Sequence, residues 1–168
     1  MSNKYSITFY YQDGTSSTGT HPHKGAVLHR EDGPALSYLR DGDYHVEEWW
    51  DKGQLTHRTK SLSDTIDEWF FRDGICHRED GPAHICYVKI DGALVLTRSA
   101  YYINGDLHRV GGKAVEDRSA WWDSRAYFIE GIVYSEEAYL SLMKEIEDIG
   151  EAGRLIDPRK WVRTWKGL

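Results

Sequence analysis

Cysteine is scarce: Cys76 and Cys86 are the only two in 168 residues. A disulfide scaffold is thereby excluded, and the two thiols are expected to be free in a reducing compartment. No stretch approaches the roughly 18 consecutive apolar residues of a membrane-crossing helix. The opening MSNKYSITFYYQDG has no apolar secretory core, so a cytoplasmic location is expected. Also missing are G-x-S-x-G, the P-loop, H-E-x-x-H and C-x-x-C. With no such constellation the chain is read as a non-enzyme, with no cofactor and no metal. Nor is there an excess of positive charge. The formal net charge is −6 and the pI about 5.7, which argues against a surface that binds nucleic acid throughout.

Aromatic residues are plentiful, with seven Trp, eleven Tyr and four Phe. Together with sixteen Gly and little helical periodicity they point to β structure. Self-similarity is strong. HREDGPA stands at residues 29–35 and again at 77–83, and a degraded HRVGGKA at 108–114. A further His57-Arg58 pair follows the same lead-in of an aromatic pair, a spacer and a glycine: EWWDKGQLTHR, EWFFRDGICHR and AYYINGDLHR. Related copies, TFYYQDG and AYFIEG, lie at residues 8–14 and 126–131.

One unit can be interpreted physically. Asp41-Gly42, Asp73-Gly74, Asp91-Gly92 and Asn104-Gly105 supply the positive φ that two-residue hairpin turns need. Tyr, Trp, Val and Ile between them suit a half-buried pleated surface. The Asp-Gly of REDGPA reverses the chain, and Pro34 and Pro82 belong at a strand start or an edge. Stacked units then make one long, meandering antiparallel sheet of hairpins.

HREDGPA with interleaved aromatic-aromatic-x-x-Gly segments resembles the MORN-like β-hairpin repeats of bacteria, bacteriophages and large DNA viruses, over roughly residues 5–134. The resemblance implies a sheet used as a scaffold or binding surface, and it brings no catalytic residues. Two departures stand out. THRTKSLSDTIDE at 56–68 lacks DGPA, and HRVGGKA has lost its acidic pair and proline.

The pattern changes after Tyr134. Ser135 followed by Glu136 and Glu137 starts a helix. Tyr139, Leu142, Met143, Ile146 and Ile149 form its apolar stripe and Gly150 its stop. The organisation expected is therefore a mainly β repeat sheet over 1–134, a capping helix over 135–150 and a basic tail over 151–168. The end of the tail, residues 154–168, holds Arg154, Arg159, Lys160, Arg163 and Lys166 against Asp157, a formal +4. Trp161 and Trp165 stand four apart, on one face if the segment is helical.

The candidate sites follow from these features. His29, Asp32, His77, Asp80 and His108 are metal-ligand types, but recurrence at matching positions favours a role in the fold. His21 and His23 of HPH are a weaker pair. Residues that occur only once are better binding candidates: Arg159, Lys160, Trp161, Arg163 and Trp165 in the tail, with Trp50, Tyr102 and Trp122 on an aromatic face. The function expected is a protein–protein interaction module, of the kind a phage or bacterial accessory protein uses to inhibit or recruit a host protein. Alternatives are nucleic-acid binding through the tail, small-ligand capture by the aromatic face, and a metal-dependent enzyme using the repeat His and Asp. A homodimer through an open sheet edge is a further option.

Overall fold

The computed structural model describes residues 7–40, 44–118 and 125–153. Asp41-Gly42, Trp122 and the tail residues 154–168 lie outside them. The strands are β1 (Ile7–Tyr10), β2 (Ser16–Gly19), β3 (Leu36–Arg40), β4 (Tyr44–Asp51), β5 (Gln54–Leu62), β6 (Thr65–Arg72), β7 (Ile75–Cys76), β8 (His84–Ile90), β9 (Ala93–Ala100), β10 (Tyr102–Ile103), β11 (Asp106–Leu107), β12 (Val115–Asp117), β13 (Arg125–Ile129) and β14 (Ile132–Tyr134). One helix, α1 (Glu136–Gly153), follows them.

The protein is mainly β, an antiparallel sheet of hairpins with one C-terminal helix. The sheet runs β14-β13-β12-β9-β8-β6-β5-β4-β3-β1-β2, with β7 on the end of β6 and β10–β11 as a separate hairpin. Its path is largely a meander of hairpins, but β2 turns outward to the edge so that β3 pairs with β1, and β8 and β12 return beside β6 and β9 after β7 and the β10–β11 hairpin. The turns behave as their residues demand. Asp73-Gly74, Asp91-Gly92 and Asn104-Gly105 hold two consecutive positive φ values, near +50° and then +76° to +85°, the geometry of a two-residue hairpin turn. Lys52-Gly53 and Glu130-Gly131 take the same conformation without the Asn or Asp that usually eases it.

Pro34 and Pro82 stand just before Ala35 and Ala83, immediately ahead of β3 and β8. There the missing N–H removes no ladder bond. Ala35, Ala83, Ala100 and Ala114 are fully buried. Phe9, Tyr11 and Leu36 form a small core with Ile7, Leu28 and Tyr38 packed against it. Elsewhere buried side chains are dispersed: Val46, Ile85 and Ile129 each lie on a different strand. Among the described residues the one buried carboxylate, Glu48, is met by Arg58 at 2.7 Å and by the Trp50 indole N–H at 3.0 Å.

The helix begins as its sequence suggests, with Ser135 Oγ accepting the Ala138 N–H at 3.2 Å. It does not stop at Gly150 but runs on to Gly153, since glycine inside a helix costs only about 1 kcal/mol relative to alanine. The 135–150 boundary is therefore three residues short.

Candidate functional site

The loops at 29–35, 77–83 and 108–114 share one set of bonds. In each, the histidine N–H bonds back to the preceding aromatic residue: His29 to Tyr10 O, His77 to Phe70 O, His108 to Tyr101 O, at 3.0–3.1 Å. The arginine N–H reaches forward to the next hairpin: Arg30 to Trp50 O, Arg78 to Tyr102 O, Arg109 to Phe128 O, at 3.1–3.3 Å. The alanine carbonyls of Ala35, Ala83 and Ala114 accept the N–H of Tyr10, Phe70 and Tyr101 at 2.8–2.9 Å.

Histidine Nδ1 accepts the N–H of the positive-φ turn residue one hairpin on: His29 from Lys52 at 3.3 Å, His77 from Asn104 at 2.9 Å, His108 from Glu130 at 3.2 Å. An amide is always a donor, so this bond places the proton of His77 and His108 on Nε2. His29 differs, because Asp51 Oδ1 also lies 3.1 Å from its Nδ1. The repeated histidines thus pass from hairpin to hairpin. Among the described residues no three His, Cys, Asp or Glu side chains come together as metal ligands. The HPH rings have separate partners, His21 with Thr20 Oγ1 at 3.0 Å and His23 stacked on Tyr11.

Each repeated arginine is held in a clamp. Its guanidinium lies over a ring, Arg30 on Tyr10 at 4.1 Å, Arg78 on Phe70 at 4.1 Å, Arg109 on Tyr101 at 3.9 Å. The other side faces Gly33, Gly81 or Gly112, where an added Cβ would stand 3.2–3.3 Å from the guanidinium carbon. None of these three glycines has positive φ. The Asp-Gly of REDGPA is therefore not a positive-φ turn; its glycine is a seat that only a residue without a Cβ provides. Arg30 and Arg78 also donate to Asp32 and Asp80 at 3.0 and 2.8 Å, which holds both carboxyls below their ordinary range. In the degraded loop Arg109 turns to Lys113 O and Glu116, both at 2.9 Å.

There the freed loop amides find another partner. Gly111 N–H and Gly112 N–H donate to the Tyr139 hydroxyl at 2.7 and 2.9 Å, and that hydroxyl donates to Arg109 O at 3.2 Å. The Tyr139 ring stacks on Tyr127 at 4.4 Å. One helix side chain so replaces the arginine that a further loop would supply. Leu142, Met143 and Ile146 of the stripe are only half-buried.

The pattern is interrupted at residues 56–68. His57 and Arg58 lie inside strand β5, not in a loop. His57 is stacked between Trp49 and Phe70, with ring centroids 4.5 Å apart on each side. Cross-strand neighbours are spaced for this. Burial of the ring pushes the His57 pKa down, so the imidazole sits neutral where other units place a guanidinium.

No third loop projects over this stretch, and two clefts occupy the space between the loops at 29–35 and 77–83. One, of about 430 Å³, is lined by His29, Arg30, Glu31, Trp49, Trp50, Asp51, Lys52 and Thr56. The other, of about 520 Å³, is lined by Thr56, Phe70, Phe71, Arg72 and residues 77–80. Thr56 borders both, so the two clefts are neighbours, and together they are called the trough below. Compared with protein-family models, curated proteins and solved structures, the chain matches none.

The sequence-based binding candidates separate on this geometry. Trp50 lines the trough. Tyr102 is half-buried in β10, its carbonyl engaged by Arg78, and it borders neither cleft. Trp122, Arg159, Lys160, Trp161, Arg163 and Trp165 lie outside the described residues. Sequence reasoning missed Trp49, Thr56 and Phe71, although the absence of DGPA at 56–68 marks the place. Both thiols are held back by burial: Cys76 is pushed up to about 11, and Cys86 is also raised.

Proposed function

We propose that the protein is a non-enzymatic binding module of the MORN-like kind, which holds an extended segment of a protein partner in the trough around Thr56. One observation carries this reading. Side chains that recur are engaged in joining hairpins, whereas the trough lies where the pattern lacks a DGPA loop, at residues 56–68, and is bordered by rings and charges. Half-buried aromatic residues beside polar groups are the composition of protein-binding surfaces. An extended ligand suits two neighbouring clefts that share a border at Thr56, because successive side chains of a strand-like peptide can enter each. By the resemblance, the partner is a host protein that the module inhibits or recruits.

Selection from a displayed random-peptide library against the whole chain and against Thr56→Arg tests the proposal. Thr56 is exposed, so the substitution fills the trough without touching the core. Peptides enriched on the wild type and lost on the variant are the expected result. Equal enrichment on both, or none on either, overturns it.

A further inference from the structure

The charges of the trough indicate what it takes. Its arginines are engaged: Arg30 by Asp32 and the Tyr10 ring, Arg78 by Asp80 and the Phe70 ring, Arg72 by Glu79 at 2.9 Å. The side chains of Arg30 and Arg78 are 30% and 29% exposed, against 91% for Glu31 and 82% for Asp80. Lys52 is exposed and Arg72 is 54% exposed, so these two cations share the rim with the more exposed carboxylates of Glu31 and Asp80 and with Asp51, at 61%. Glu31 is held by nothing closer than His29 Nε2 at 3.9 Å, and Asp51 stands beside it. Below the rim lie Trp49, Trp50, Phe70 and Phe71, all half-buried. Carboxylates over ring edges suit cationic side chains and further rings.

The chain contains one sequence of that chemistry. Residues 154–168 carry five Lys or Arg, one Asp and two Trp. Residues 1–153 hold sixteen Lys or Arg and twenty-six Asp or Glu, a formal −10. Fifteen residues reach up to about 50 Å when extended. Resting on the binding reading above, we propose that the trough is the seat of a basic, ring-bearing peptide and that residues 154–168 of the same molecule are that peptide. An outside partner then competes with it through Lys, Arg and aromatic side chains of its own.

Photo-crosslinking of the full chain tests this directly, with p-benzoylphenylalanine at Val162 so that both tail tryptophans stay in place. Crosslinks mapped by mass spectrometry are expected on residues 29–31, 49–56 and 70–80. Their yield should fall about tenfold in Glu31→Lys/Thr56→Arg, as charge complementarity sets such association. It should be unchanged in Glu137→Lys/Glu145→Lys, two exposed helix positions. Wild-type protein moved from about 0.05 M to about 0.5 M NaCl provides an arm that needs no trough variant, and the yield should drop there too. A mixture of isotopically light and heavy chains separates same-chain crosslinks, the expected kind, from two-chain crosslinks, which if found alone overturn the assignment to the same molecule. Crosslinks confined to other surfaces, or equal yields in both double variants and both salts, overturn the proposal. Should library selection still return trough ligands that lack Lys and Arg, the binding function stands and this inference alone fails.

Discussion

Gly81→Ala probes the clamp that defines a unit. The new Cβ would stand 3.3 Å from both Cζ and Nε of Arg78. Phe70, whose ring centroid is 4.1 Å from the guanidinium carbon and which is itself backed by His57 at 4.5 Å, limits how far the guanidinium can give. The side chain must shift or leave, losing at most a cation–π contact of about 0.5–1 kcal/mol and disturbing its exposed ion pair with Asp80. Against that, alanine restricts the unfolded chain and returns about 0.4–1 kcal/mol. The two nearly offset, so the net change expected in urea unfolding followed by tryptophan fluorescence lies within about 0.5 kcal/mol of zero. In an Arg78→Ala background nothing obstructs the Cβ, and the same substitution should stabilise by about 0.5 kcal/mol. The double-mutant cycle therefore predicts a coupling of about 0.5–1 kcal/mol. An equal change in both backgrounds would refute the clamp and return Gly81 to a turn residue.

Other outcomes follow from the same geometry. Tyr139→Phe leaves the Gly111 and Gly112 amides without their acceptor and should cost about 1–3 kcal/mol; hydrogen exchange at those two amides should rise most. His57, whose pKa is lowered by burial, favours its neutral form in the fold. The unfolded chain takes up that proton first, so stability should fall as pH drops below about 6.5. A His57→Phe variant should lose that dependence while keeping the loss below about pH 4 that comes from Asp32, Asp67 and Asp80. Cys76, with its pKa near 11, should resist alkylation at pH 8 in the native protein and react readily in urea, as measured by mass shift.

Much of the architecture is legible in the sequence because it is local. Asp-Gly and Asn-Gly fix hairpin turns, proline fixes strand starts, and a repeated heptapeptide gives the order of units. What is hidden depends on neighbours distant in sequence. Gly81 follows an aspartate as a turn glycine would, and only the guanidinium resting on it explains the residue. His57-Arg58 spells the start of a loop, but the strand continues because no DGPA follows and Trp49 and Phe70 enclose the imidazole. Lys52-Gly53 and Glu130-Gly131 carry no turn signature, yet their positive-φ amides are held by His29 and His108 from the preceding unit. Tyr139 reads as one more apolar stripe position, and its hydroxyl matters only because HRVGGKA left two loop amides open. The trough was legible as an anomaly, a unit without DGPA, while its walls come from units on either side.

Nitrogen NMR of the imidazoles gives the most direct test of the claim that the recurring histidines join one hairpin to the next. At neutral pH, His77 and His108 should each carry their proton on Nε2, with Nδ1 shifted as the acceptor of the Asn104 or Glu130 amide. Neither should respond to added zinc. A proton found on Nδ1 of either ring, or signals from both that move together on titration with the metal, would contradict the account.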